Sequence, residues 1–183
     1  MSSFIRIPLT VHCIAPTPLV LVVILFLGYN LALVTEHRIH DETAMQELGA
    51  RIAGLLRGGE IIELIGDVGA GKTTLTRSIL RTAGITDTIQ SPTFTICNRY
   101  EKDGLYFAHY DFYRLGEAGI MEDEFVETVG DAHTVTIVEW GEIVSNAMPD
   151  DRLTIEIIAD TEVSREVTIT GHGKLKALEE QLA

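Results

Sequence analysis

The chain has 183 residues, with 14 Lys and Arg against 27 Asp and Glu and a formal net charge of −13. That length suits one domain with a well-buried core plus a short appendage, and leaves little room for two full domains. An acidic balance without a local cluster of basic residues repels a polyphosphate backbone and disfavours direct nucleic-acid binding by this chain alone. Cys13 and Cys97 are the only cysteines and lie far apart; they support neither a disulfide framework nor a cysteine metal site, and they suit a reducing cytoplasm.

The first 35 residues differ in character from the rest. An uninterrupted apolar run covers residues 19–27, and after Gly28, Tyr29 and Asn30 it resumes with Leu31, Ala32, Leu33 and Val34. Three readings compete for this extension. A membrane anchor needs a longer run, since a spanning helix takes roughly 20 apolar residues. A secretion signal needs a small-x-small cleavage site, and none follows the apolar core. The third is a translation start further downstream, near Leu33, Val34 or Met45. The expectation is a cytoplasmic domain over residues 36–183 with no stable membrane role; the alternative is a membrane anchor if residues 19–34 are real and retained.

From Asp41 to Leu56, Ala44, Leu48, Ile52, Leu55 and Leu56 fall on one face of a helix, which Gly58 and Gly59 end. Residues 60–65 form a short β-branched run that reads as a buried strand stopping at Gly66. Residues 73–83 return to helical spacing and close at Gly84. Strand, glycine loop and helix open an α/β domain. Residues 94–100 and 105–110 read as a hairpin about Asp103-Gly104. A polar helical stretch covers residues 116–129, a buried strand residues 134–138, two alternating strands residues 153–159 and 166–170, and a terminal helix starts at Lys174.

Gly66-Asp67-Val68-Gly69-Ala70-Gly71-Lys72-Thr73 fits G-x-x-x-x-G-K-[ST] in full and stands between a strand and a helix. Glycines there adopt backbone dihedrals closed to other residues and turn successive N–H groups onto phosphate oxygens, and the positive end of the following helix adds to that field. Lys72 is expected to reach the β- and γ-phosphates and the Thr73 hydroxyl to coordinate Mg²⁺. A glycine-rich turn that binds nothing is the competing reading. A second acidic group is needed near the metal. Glu139 ends the strand of residues 134–138, the end where ligands sit in open α/β sheets, and Asp111 ends the strand of residues 105–110. An exposed strand-end carboxylate is the plain alternative for Glu139. Trp140, the only Trp, reads by default as core packing, and His109 and His133 as structural histidines. No Asn-Lys-x-Asp guanine-reading motif occurs, which points to ATP rather than GTP.

Four blocks together, Gly66 to Thr74, Ser91-Pro92-Thr93-Phe94-Thr95, His109-Tyr110-Asp111-Phe112-Tyr113-Arg114-Leu115 and Val138-Glu139-Trp140, resemble in order and spacing the TsaE (YjeE) family. The resemblance runs from about Glu36 to the C-terminus; the apolar N-terminus has no counterpart in the family pattern. It implies a P-loop NTPase-like three-layer α/β fold with a mostly parallel central sheet. It also implies an ATPase subunit, weak by itself, required for threonylcarbamoylation of adenosine 37 in tRNA. The implied partners are TsaB and TsaD, with tRNA engaged only indirectly. Asp111 and Glu139 match the family's acidic positions for metal or hydrolysis, Thr93 a polar contact in its switch-like loop, and Thr74 and Trp140 positions near the nucleotide. Arg114 matches a residue for phosphate or partner contacts, with a surface ion pair as an equal alternative. A P-loop small-molecule kinase is the competing function, although the scattered Arg residues do not make an acceptor lid. A non-catalytic, nucleotide-dependent interaction module is the third.

Overall fold

The computed structural model describes residues 20–22, 35–116 and 119–183. In chain order they form β1 (Val20–Val22), β2 (Thr35–Ile39), α1 (Glu42–Leu55), β3 (Ile61–Ile65), α2 (Lys72–Thr82), β4 (Cys97–Lys102), β5 (Leu105–Asp111), α3 (Ile120–Val129), β6 (Thr134–Glu139), β7 (Leu153–Ala159), β8 (Arg165–Gly171) and α4 (Lys176–Leu182). Apart from Val20–Val22, the apolar run of residues 19–34 lies outside the described residues, as does Cys13. No helix among the described residues is long and apolar enough to cross a membrane.

All eight strands make one sheet in the order β1-β2-β8-β7-β3-β6-β5-β4. The parallel part is its centre, where β3 runs parallel to both β7 and β6, and β5 runs parallel to β6. The flanks are antiparallel, so the sheet is mixed and the parallel portion is narrower than the sequence reading expected. The cause is local. β4–β5 and β7–β8 are joined by connections too short for a crossover, and such connections give hairpins. In the first, Asp103 (φ 53) and Gly104 (φ 83) take the paired left-handed conformations of a tight turn.

Two apolar clusters lie on the two faces. On one, Leu48 and Ile52 of α1, Leu75 and Ile79 of α2 and Leu182 of α4 pack on Ile62, Leu64, Val135, Ile137, Leu153 and Ile155. On the other, Phe125 of α3 meets Tyr110, Phe112, Val138 and Val144, with the Tyr110 and Phe112 rings stacked at 5.5 Å and Phe125 edge-on to both. Each fully buried side chain of this size contributes about 1.5–3 kcal/mol. Burial pushes the Tyr110 phenol up to about 12, and its hydroxyl is satisfied by Thr128 at 2.9 Å. This gives three layers, helix on sheet on helix.

The strand of residues 94–100 starts later than its β-branched composition suggests. Ile96 has φ 66 and its N–H donates to the Pro92 carbonyl, so residues 92–96 form a turn and the ladder begins at Cys97. That turn places residues 91–93 beside the end of β5. The C-terminal helix is likewise preceded by a short 3-10 turn, Gly173–Leu175.

Candidate functional site

β3 delivers the chain to the carboxyl end of the parallel strands at Ile65, and the glycine-rich loop then reverses it into α2. Gly66, Gly69 and Gly71 have φ of 149°, 81° and 118°, conformations closed to residues with a Cβ. At Gly66 space is also limiting, because a Cβ would collide with the carbonyl oxygen of Ile157 on β7. α2 begins at Lys72 with no side-chain cap, so its first N–H groups face the loop.

Lys72 is only 5% exposed. Its ammonium donates to the carbonyls of Gly66 at 2.6 Å and Asp67 at 3.0 Å and lies 4.6 Å from the centre of the Trp140 ring. Trp140 follows β6 in a left-handed conformation, φ 59, and leans on Tyr113 with ring centres 4.9 Å apart. It therefore forms a wall of the cleft, the place that the family resemblance implies and not the core position that is the default for a lone Trp. That default lacked the backbone reversal at the end of β6, which swings the ring out of the sheet.

Asp111 and Glu139 are paired in register at the ends of β5 and β6, and each is only 3% exposed. Glu139 Oε1 accepts from Thr73 Oγ1 at 3.2 Å and from His109 Nε2 at 2.9 Å. Because a carboxylate only accepts, Nε2 carries the imidazole proton. A Thr73 hydroxyl that donates to Glu139 keeps its lone pairs for a cation. Asp111 is occupied differently: Oδ2 accepts from Ser91 Oγ at 2.7 Å and from Thr93 Oγ1, and Oδ1 accepts from the Tyr113 N–H at 3.0 Å.

Together these groups line a cleft of about 350 Å³ that contains Val68, Gly69, Gly71, Lys72, Thr73, Thr74, Thr93, Asp111, Glu139 and Trp140. The structure thus brings together most residues singled out in the sequence; Gly66, Asp67 and Ala70 complete the loop behind them. Arg114 points elsewhere, with its guanidinium 4.2 Å from the Phe94 ring centre. A second cleft of about 480 Å³ opens on the other side of Gly71 and Thr74, between the start of α1 at Asp41 and Glu42 and the β7–β8 turn at Glu162 and Val163. No local pattern in the sequence points to it, because its walls are separated by most of the chain.

Two contributors were missed in the sequence. His109, fully buried, was assigned a purely structural role although it touches Glu139; alternate residues on one strand face, His109 and Asp111, were the available signal. Arg165 was read only as one of several scattered arginines, yet its Nε donates to the Ala70 carbonyl at 2.8 Å.

Among the described residues no group of three or more His, Cys, Asp or Glu could hold a metal ion. Mg²⁺ in nucleotide sites needs no such cage, since one or two carboxylates, water and substrate phosphate suffice. Thr73 and Glu139 in contact at the head of α2 fit that donor set.

Comparison with known proteins agrees with this geometry. The family model for "Threonylcarbamoyl adenosine biosynthesis protein TsaE" matches residues 39–167. The tRNA threonylcarbamoyladenosine biosynthesis protein TsaE of Streptomyces coelicolor is 42% identical over 137 residues, covering 71% of this chain and 92% of the relative. The protein of the same name from Bacillus subtilis is 36% identical over 121 residues, covering 66% and 75%. The crystal structure of Bacillus subtilis YdiB superposes with a TM-score of 0.68 at 28% identity, covering 83% of this chain and 96% of that one. The fold, the loop and its two strand-end carboxylates, and these matches all agree: the chain belongs to the TsaE family.

Proposed function

We propose that this chain binds and hydrolyses ATP with Mg²⁺ as the ATPase subunit for threonylcarbamoylation of adenosine 37 in tRNA, acting with TsaB and TsaD. The observation that carries this reading is the contact of Thr73 with Glu139 at the mouth of a complete phosphate-binding loop. The names of the relatives supply the pathway.

Triphosphate lies along the loop, with the N–H groups of residues 69–73 donating to its oxygens and Lys72 neutralising the β- and γ-phosphates. The carboxylates mark the γ-phosphate end, so the nucleoside leaves the loop on the opposite side, into the cleft between Asp41 and Val163. Thr73 and Glu139 would hold Mg²⁺, which would supply charge neutralisation at the phosphates. Glu139 Oε2 accepts no hydrogen bond from the described residues and is the oxygen left to orient the attacking water. Asp111, with both oxygens engaged, instead holds Ser91 and Thr93 at the γ-phosphate edge. Water attacks the γ-phosphorus, the bond to the β–γ bridging oxygen breaks, and ADP and phosphate leave.

The rim of the cleft supports dependence on partners. Val68 and Tyr113, which line the cleft, are 70% and 52% exposed, an apolar fringe of the kind that protein partners cover. With tRNA contacted by the other subunits, the charge of −13 is no obstacle. Steady-state ATPase of the full chain, alone and with TsaB and TsaD, tests the reading. The partners should stimulate the wild type, and Lys72→Ala should abolish the stimulated rate. Equal rates for wild type and Lys72→Ala in the reconstituted assay would refute it.

A further inference from the structure

We propose that Arg165 is a positioning residue that braces the phosphate-binding loop and the nucleoside side of the site at once; this rests on the nucleotide reading above. Arg165 opens β8 immediately after the turn of residues 160–164. Its Nη1 donates to the carbonyls of Ser164 at 2.9 Å, Thr161 at 3.0 Å and Glu162 at 3.4 Å, while Nε donates to Ala70 in the phosphate-binding loop at 2.8 Å. One planar guanidinium therefore ties the turn to a loop 95 residues earlier in the chain.

Each end of the brace has a consequence. In a trans peptide, C=O and N–H point in opposite directions. Anchoring the Ala70 carbonyl toward Arg165 therefore turns the Gly71 N–H away from it, and Gly71 (φ 118) has no Cβ to hold that peptide by packing. Hydrogen bonds from a charged donor are roughly twice as strong as neutral ones, which suits a fixed peptide orientation in a glycine-rich segment. At the other end, Glu162 and Val163 wall the second cleft opposite Asp41 and Met45. The turn is internally stiff, with Ser164 Oγ on Asp160 and Thr161 Oγ1, and Asp160 paired with Arg38 at 2.8 Å. It therefore moves as a unit, and Arg165 sets where that unit stands against the loop.

The test is isothermal titration of the full chain with Mg²⁺–ATP and with Mg²⁺–tripolyphosphate, which has the phosphates but no nucleoside. Arg165→Met removes both ends of the brace and should weaken ATP by about tenfold or more, the loss expected from one charge-assisted hydrogen bond network, and weaken tripolyphosphate as well. Arg165→Lys can reach the Ala70 carbonyl but cannot span the turn. It should lose ATP affinity while keeping tripolyphosphate affinity within about twofold, since a single point donor replaces the fork. If thermal melting shows Arg165→Met unfolded, the Lys variant carries the test alone. Folded variants that bind both ligands like wild type overturn the proposal, as does lower thermal stability with unchanged affinities. Wild type binding neither ligand defeats the nucleotide reading itself; wild type binding both equally defeats the nucleoside cleft and with it the turn's role.

Discussion

Glu139 joins the head of α2 to the end of β5 through its contacts with Thr73 and His109. Oε1 is fixed by Thr73 and His109, and Oε2 accepts nothing from the described residues. Glu139→Gln keeps the shape and loses the charge, so Mg²⁺–ATP affinity should fall with the weakened metal contact, and bound ATP should turn over roughly 10²-fold more slowly, the low end for losing a general base or water-orienting group. Single-turnover hydrolysis beside a binding titration reads the two effects separately. His109→Leu should lower turnover in the same sense, and His109→Gln, which restores a donor, should recover part of it; equal loss in both would mean that the imidazole only fills space. The legibility of these residues followed sequence distance. The loop from Gly66 to Thr73 is local and could be read directly, because each glycine has a backbone reason within eight residues. The His109–Glu139 bond spans 30 positions and depends on which strands are neighbours, which no local pattern states.

Between elements, α1 approaches α2 closely. Gly49 lies against Ser78, and a Cβ there would collide with the serine side chain. Gly49→Val should therefore cost roughly 1–3 kcal/mol as overpacking, measured by urea unfolding, and should tilt α2 and its first turn at Lys72. α1 also bears on a titration. Burial, and then the positive charge of Arg51, hold His37 of β2 below its ordinary value near 6.5. The unfolded chain takes that proton first as pH falls, so stability should decline as pH drops through about 6.5 toward the lowered folded value. His37→Leu should flatten that part of the stability profile. The periodicities of α1, α2 and the central strands were legible because each buries one face. β2 was not, since Thr-Glu-His-Arg-Ile lacks a strand composition and is held by pairing with β8.

For the whole molecule, three parallel pairings at the centre of the sheet bring the loop, Asp111 and Glu139 to the same end of the strands. The antiparallel flanks then add the Ser91–Thr93 turn on one side and the residue 160–164 turn on the other. Alternation in the strands could show two-faced burial, but strand order is a long-range property: the hairpin about Asp103-Gly104 was legible, whereas the antiparallel pairing of β7 with β8 was legible only as two separate strands. The larger claim is that hydrolysis at this one end of the sheet sustains a tRNA modification made by an assembly. The most direct test is the threonylcarbamoyladenosine content of bulk tRNA, measured by nucleoside mass spectrometry in cells whose native copy is shut off. Wild-type chain supplied in trans should restore the modified nucleoside, and Lys72→Ala, expressed at the same level, should leave it depleted. Full restoration by Lys72→Ala would contradict the account.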